Sequence, residues 1–188
     1  MSTTKIQIPC RFSFVNVWKP KANDDGTLKY SASLIIDKSD TKTIKKIKAA
    51  IAAAMEAGAT TLKGKKGLRN PLRDGDKERE GDGAYEGAMF LNASSEQQPG
   101  IVQYSSDGDP DPITDQREFY SGCHGYASIN FFAYNKKGNA GIGVGLNHVM
   151  KVKDGDPLTG RGSAESDFKD ITIEDDFEEE EEPGSEFF

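Results

Sequence analysis

The chain has 188 residues, of which 35% are hydrophobic and 29% charged; that suits one domain plus a segment outside the core and excludes two large lobes. The net charge of −7 conceals an asymmetry, because residues 1–73 carry fifteen bases against five acids while residues 163–188 carry twelve acids against one base, Lys169. Cys10 and Cys123 are too few for a disulfide framework, no signal peptide opens MSTTKIQIPC, and no apolar run approaches the ~20 residues of a membrane span, so a reducing cytoplasm is expected.

Residues 5–17 (KIQIPCRFSFVNV) predict a first strand with Phe12 and Phe14 on one face and Arg11, Ser13 and Val15 on the other. Trp18-Lys19-Pro20-Lys21 ends it, and Asn23-Asp24-Asp25-Gly26 is a turn. In residues 28–37 (LKYSASLIID) Tyr30, Ala32, Leu34 and Ile36 alternate with smaller or polar residues, the pattern of a second strand that pairs with the first. Ser39 or Asp40 caps a helix over residues 41–57, with Ile44, Ile47, Ile51 and Met55 in one stripe and Gly58 as the stop. Such a helix is most simply a lid across one end of a barrel, its Lys42, Lys45, Lys46 and Lys48 forming a solvated face.

Residues 59–87 show little periodicity and exceed the usual connection, which marks a loop that is functional or mobile. Its basic part (Lys63, Lys65, Lys66, Arg69, Arg73) suits a phosphate backbone, although Gly64-Lys65-Lys66-Gly67 lacks the offsets of a Walker loop. Met89–Ser94 and Ile101–Tyr104 predict short strands on either side of Pro99-Gly100. Asp107–Glu118 spaces acids as a calcium loop does, but Pro112 stands where the loop needs glycine and no flanking helices are readable. A rigid acidic turn is expected there, and no metal.

Residues 119–153 predict a hairpin. Ala127, Ile129, Phe131 and Ala133 alternate with Tyr126, Ser128, Asn130, Phe132 and Tyr134, and Asn135-Lys136-Lys137-Gly138-Asn139 supplies the reversal. In the return strand Ile142, Val144, Leu146 and Met150 share one phase, whereas Gly141, Gly143 and Gly145 leave the other face bare, so that strand bends or admits another group. Residues 154–166 read as a linker, dividing the chain into a domain over 1–160 and a linker with acidic tail over 161–188.

Catalysis finds little support, so no enzyme and no cofactor are expected. His124 and His148 lie near no evident nucleophile, Gly141-x-Gly143-x-Gly145 lacks the helix of a dinucleotide fold, and Cys123 reads as a small buried hydrophobe. Single-strand binding needs only flat rings for bases and cations for phosphates. The candidate rings are Trp18, Tyr120, Tyr126, Phe132 and Tyr134, with platform and core both open for Phe132; the candidate cations are Arg11, Lys19, Lys21, Lys63, Lys65, Lys66, Arg69, Arg73, Lys136 and Lys137. A tethered acidic tail is at high effective concentration near a basic groove and competes with nucleic acid there. Once released, Glu178, Glu179, Glu180, Glu181, Glu182 and Glu186, with Phe187 and Phe188, are suited to docking on partner proteins.

The segment YSGCHGYASINFFAYNKKGNAGIGVGLNHVMKV, the earlier LKYSASLIIDKSD followed by a helix, and the NPLRDGD loop resemble the bacteriophage OB-fold single-stranded DNA-binding proteins across residues 5–153. The tail is similar to those of podophage and bacterial single-strand-binding proteins. The resemblance implies a mainly β chain with a five-stranded OB-fold barrel and an inserted helix. It also implies sequence-independent binding of single-stranded DNA in phage replication, recombination or repair, inside the infected bacterial host. Partners would then be single-stranded DNA and phage or host replication proteins, with a homodimer left open and no membrane. Two rival readings are an RNA-binding or nucleic-acid-chaperone module, since nothing addresses the 2′-OH, and an adaptor whose acidic arm mimics nucleic acid to inhibit a host protein.

Overall fold

Two long hairpins, bridged by one further strand, make the frame. The computed structural model describes residues 3–158 together with Phe168 and Ile171. In chain order its elements are β1 (Lys5–Ala22), β2 (Leu28–Asp37), α1 (Thr41–Ala57), α2 (Ala59–Leu62), β3 (Arg73–Asp74) and α3 (Gly75–Glu78). There follow β4 (Ala88–Ser95), β5 (Gly100–Gln103), β6 (Asp111–Pro112), a 3-10 turn over Gln116–Glu118, β7 (His124–Lys136) and β8 (Asn139–Lys153). Neighbouring strands run β3-β4-β2-β1-β7-β8-β5-β6, and a parallel pairing of Ser94 in β4 with Gly145 in β8 closes β1, β2, β4, β8 and β7 into a five-stranded barrel. Closure satisfies the backbone donors and acceptors that an open sheet would leave at its edges.

The alternation expected for β7 is present: Ala127, Ile129 and Phe131 are buried while Tyr126 and Phe132 are exposed. They meet Ile8, Phe12, Leu34, Leu91 and Leu146 in one core, where each large apolar side chain contributes roughly 1.5–3 kcal/mol by burial. α1 begins at Asp40, whose carboxylate accepts the Thr43 N–H at 3.2 Å, and ends at Gly58. It covers the barrel as expected, but through Thr43, Ile47, Ala50 and Ala54; Ile44 and Ile51 are only partly buried and Met55 is exposed.

Three expectations are corrected. β1 does not stop at Trp18 but pairs on through Lys21–Lys29 to Ala22–Leu28, and a register shift between Ser13 and Asn16 turns Phe14 outward, away from the face of Phe12. β8 changes phase at Asn147, because Ile129 pairs with Leu146 while Ser128 pairs with His148; one residue bulges, so Val149 enters the core and Met150 is only half-buried. The aperiodic run before β4 is an ordered excursion, held by side chains instead of by a repeating pattern. Lys38 Nζ bridges Asp74 (2.8 Å) and Asp76 (2.6 Å), the other Asp76 oxygen accepts the Gly87 N–H at 2.9 Å, and buried Tyr85 bonds through its hydroxyl to Ser33 Oγ at 2.9 Å. Lys38 holds the Asp74 carboxyl below the usual carboxylate range, and the Gly87 N–H with Lys38 does the same for Asp76. Ile35, Tyr85, Ala88 and Phe90 thereby form a second small core on the outside of the barrel.

Candidate nucleic-acid interface

The excursion covers only part of the outer face of β2 and β4. Beyond it, where Ser31 pairs with Ser94 and Ser33 with Asn92, the sheet is floored by small polar side chains. Phe14, Asn16 and Lys21 of β1 wall one side, and Arg73, Glu78 and Arg79 wall the other, leaving a groove of about 430 Å³. A shallower depression of about 180 Å³ shares Arg73 and Asn92 with it and reaches Arg69, Gly143 and Tyr134. The two form one track from β1 across β2, β4 and β8 to β7. Its lining holds four cations (Lys21, Arg69, Arg73, Arg79) and one carboxylate, Glu78.

The bare face of β8 explains the β7 end of this track. Each of its glycines receives one specific neighbour. Gly141 admits the backbone of Arg69, whose N–H donates to the Ala140 carbonyl (3.0 Å) and whose carbonyl accepts the Ile142 N–H (3.1 Å). Gly143 pairs with Phe132, and a Cβ there would lie 2.6 Å from Phe132 Cζ, so the aromatic ring occupies the space a side chain would take. Gly145 takes the Asn130 side chain in the same way. Phe132 therefore rests on backbone and stays 45% exposed, a ring with a rigid support beneath it.

At the β1 end the arrangement differs. Phe14 has a φ of 46° and is 54% exposed. The Arg79 guanidinium lies 4.7 Å from the centroid of Phe14 and 4.9 Å from that of Tyr85. Its Nη2 donates to Asp82 at 3.0 Å, while its Nε is buried without an acceptor among the described residues. Neither Phe14, Arg79, Asn16 nor Asn92 was among the residues expected from sequence. Alternation assigns Phe14 to the core, and nothing in the run around Arg79 marks it.

Of the expected residues, Lys21, Arg69, Arg73, Phe132 and Tyr134 are brought to or beside this track. Lys136 and Lys137 are exposed at the β7–β8 turn, where Lys137 (φ 49°) and Gly138 (φ 82°) make the reversal. The Thr27 N–H chiefly, and the charges of Lys137 and Lys29 more weakly, hold the Asp25 carboxyl low, so the β1–β2 turn lies within electrostatic reach of that tip. Lys19 is exposed near the end of β1, and Lys63, Lys65 and Lys66 are exposed on the segment leading to Arg69.

Four expected residues lie elsewhere, and their polar groups show why. Arg11 donates from Nε to the Gly122 carbonyl (3.1 Å) and from Nη2 to that of Asp156 (2.8 Å). Trp18 packs on the core and its Nε1 donates to the Phe119 carbonyl at 3.0 Å. Tyr120 also packs on the core, donates to Asp154 at 2.8 Å and carries Lys151 5.3 Å from its ring centroid. Tyr126 is exposed but lines a separate cavity with Arg11 and His124. The tail residues Glu178, Glu179, Glu180, Glu181, Glu182, Glu186, Phe187 and Phe188 lie outside the described residues. His148 accepts the Gly100 N–H on Nδ1 at 3.0 Å, and burial, followed by the nearby Arg11 and Lys153 charges, holds the His124 imidazole below its ordinary value. Burial likewise pushes the Cys10 thiol up, away from the reactive thiolate.

Comparison with known proteins agrees with this architecture. The family described as "Enterobacter phage Enc34, ssDNA-binding protein" matches residues 3–178. Putative protein p50 of Acyrthosiphon pisum secondary endosymbiont phage 1 is 33% identical over 183 residues, covering 89% of this chain and 94% of the relative. The single-stranded DNA-binding protein of bacteriophage Enc34, solved as a C-terminal truncation, has the same fold with a TM-score of 0.70 at 23% identity, covering 82% of this chain and 89% of that one. That phage protein has also been solved in complex with ssDNA, where the TM-score is 0.64 at 23% identity over the same shares of the two chains. Bacteriophage T7 gp2.5, a single-stranded DNA-binding protein, shares the fold more distantly, with a TM-score of 0.50 at 15% identity over 87% of this chain and 99% of that one. The chain belongs to the family of the Enterobacter phage Enc34 ssDNA-binding protein.

Proposed function

We propose that this protein binds single-stranded DNA without sequence preference, along the track from Phe14 to Phe132. The observation that carries the proposal is the pairing of two exposed rings, Phe14 in the groove lining and Phe132 seated on Gly143 beside it, with four cations against one carboxylate in that lining. Rings offer stacking surfaces to any base, and each stacked base is worth roughly 1–3 kcal/mol; cations follow the phosphates. A duplex keeps its base faces stacked on each other and cannot use the rings, so unpaired strands are preferred. Nothing in this mechanism needs a cofactor or a catalytic step.

Coating single strands in this way serves phage replication, recombination or repair in the cytoplasm of the host. The acidic segment 163–188 competes with DNA for the basic track, and its terminal Phe187-Phe188 recruits replication proteins once DNA displaces it. The charge of that segment, twelve acids against one base, supports the competition. The test is a binding series with oligothymidylate, a duplex of equal length and the matching RNA, on the full chain and on a chain ending at residue 162. Tighter binding of oligothymidylate than of duplex, tightened further by truncation, is expected. Preference for duplex would overturn the binding reading, and unchanged or weaker affinity after truncation would overturn the competition.

A further inference from the structure

We infer that Phe14, backed by Arg79 and Tyr85, is a dedicated base-stacking subsite at the β1 end of the groove. The inference rests on the single-strand binding proposed above and deepens it by naming what fixes the ring at the β1 end, which the strand pattern hides. In an unbroken β1 the side chain of Phe14 would follow Phe12 into the core. Instead the β1–β2 register jumps between Ser13 and Asn16, and Phe14 takes a φ of 46°, a conformation that bulky L residues rarely hold.

That conformation is fixed from both sides. The Phe12 N–H donates to the Cys123 carbonyl (3.0 Å), the Gly122 N–H to the Phe12 carbonyl (2.7 Å) and the Val15 N–H to Ser121 Oγ (3.0 Å). Asn16 Nδ2 donates to the Phe14 carbonyl itself at 3.0 Å. Strain that the surroundings over-determine belongs, as a rule, to a working part of a protein. Here it moves a large apolar residue from a place where burial would stabilise the fold to one where it is 54% exposed.

The ring is not left loose. The Arg79 guanidinium, pinned by Asp82, lies against it, and Tyr85, 1% exposed, backs the guanidinium in turn. This three-part stack gives Phe14 a fixed orientation at the groove wall, beside Asn16 and Lys21. An unpaired base stacked there has a cation within reach for its phosphate, and any of the four bases fits because each has a π face.

The experiment compares the full chain with its Phe14→Gly and Phe14→Trp variants, measuring oligothymidylate affinity at low salt and the melting temperature. Glycine relieves the positive φ, so Phe14→Gly is expected to melt at or above the temperature of the parent while its affinity falls about 5- to 150-fold. Phe14→Trp keeps a ring in place; it is expected to retain the affinity and to show quenching on binding beyond that of Trp18, whose indole is tied to the scaffold. Affinity of Phe14→Gly within about 2-fold of the parent, a marked drop in its melting temperature, or a Phe14→Trp signal that ignores the oligonucleotide would each overturn the subsite. A parent chain that itself fails to bind oligothymidylate would instead remove the reading on which the subsite rests.

Discussion

The two cavities that share β1, β2 and the excursion before β4 in their linings are made from similar residues and come out opposite in character. The larger, about 480 Å³, has Arg11, Lys153 and His124 in its lining, but also Asp37, Asp40 and Glu86, and its arginine is already committed to two backbone carbonyls. The groove on the β2–β4 side is smaller, yet its cations outnumber its carboxylates four to one once the adjoining depression is included. Lys21 makes no ion pair or side-chain hydrogen bond among the described residues. Volume and charge balance therefore do not run together in these two cavities. What separates the two is the balance of charge in the lining, because Arg69, Arg73 and Arg79 of the track are also partnered, by Asn139, Glu78 and Asp82.

The sharpest way to break this comparison is charge reversal on both sides. Lys21→Glu combined with Arg69→Glu is expected to lower oligothymidylate affinity about 100-fold at low salt and to flatten the log–log salt dependence by about 0.7 for each lost phosphate contact. Lys153→Glu, in the larger cavity, should change affinity by less than about 3-fold. Fluorescence anisotropy over a salt series measures both, and equal losses would abolish the distinction between the cavities.

A smaller effect probes the rings. In Gly143→Val the new side chain must displace Phe132, whose Cζ lies 2.6 Å from the position of the added Cβ. Loss of one supported stacking face should weaken binding about 10-fold, or ~1.4 kcal/mol. Tyr126→Leu removes a ring of similar exposure from the other cavity and should leave binding unchanged. Binding by Gly143→Val equal to that of the parent would show that Phe132 is no platform.

The smallest effect concerns the excursion that walls the groove. Asp74 and Asp76 titrate below the ordinary 3.8 in the fold, so their bonds to Lys38 add stability above that pH and lose it as pH falls through the lowered values. The Lys38 ammonium is shifted upward, so it stays charged throughout that window. Lys38→Met should melt slightly below the parent at neutral pH, and the gap should close on acidification past 3.8. A gap independent of pH would mean that the pair does not hold the wall.

The core face of β7 was readable because Ala127, Ile129 and Phe131 alternate with polar and aromatic neighbours, and the bare glycines of β8 correctly announced that other groups approach. The bulges at Phe14 and Asn147 were not, because each is set by partners on another strand or a distant loop: residues 121–123 for the first and Ser128–Ile129 for the second. For the same reason alternation misplaced Phe14, and composition could not show that Trp18 and Tyr120 pack partly on the core. Whether an aromatic is a platform depends on what its polar atoms and its underside touch, and neither is written in strand phase. The excursion was opaque because Lys38, Tyr85 and Ser33 hold it by pairwise bonds across the chain, with no repeat to betray them.

The most direct test of the central claim is an amide NMR titration of the full chain with oligothymidylate. Shifts concentrated at Phe14, Ser33, Asn92 and Gly143, with His124, Tyr126 and Val152 silent, are the predicted result. Shifts centred on His124 and Tyr126, with Ser33 and Gly143 unmoved, would place the strand in the other cavity and contradict the account.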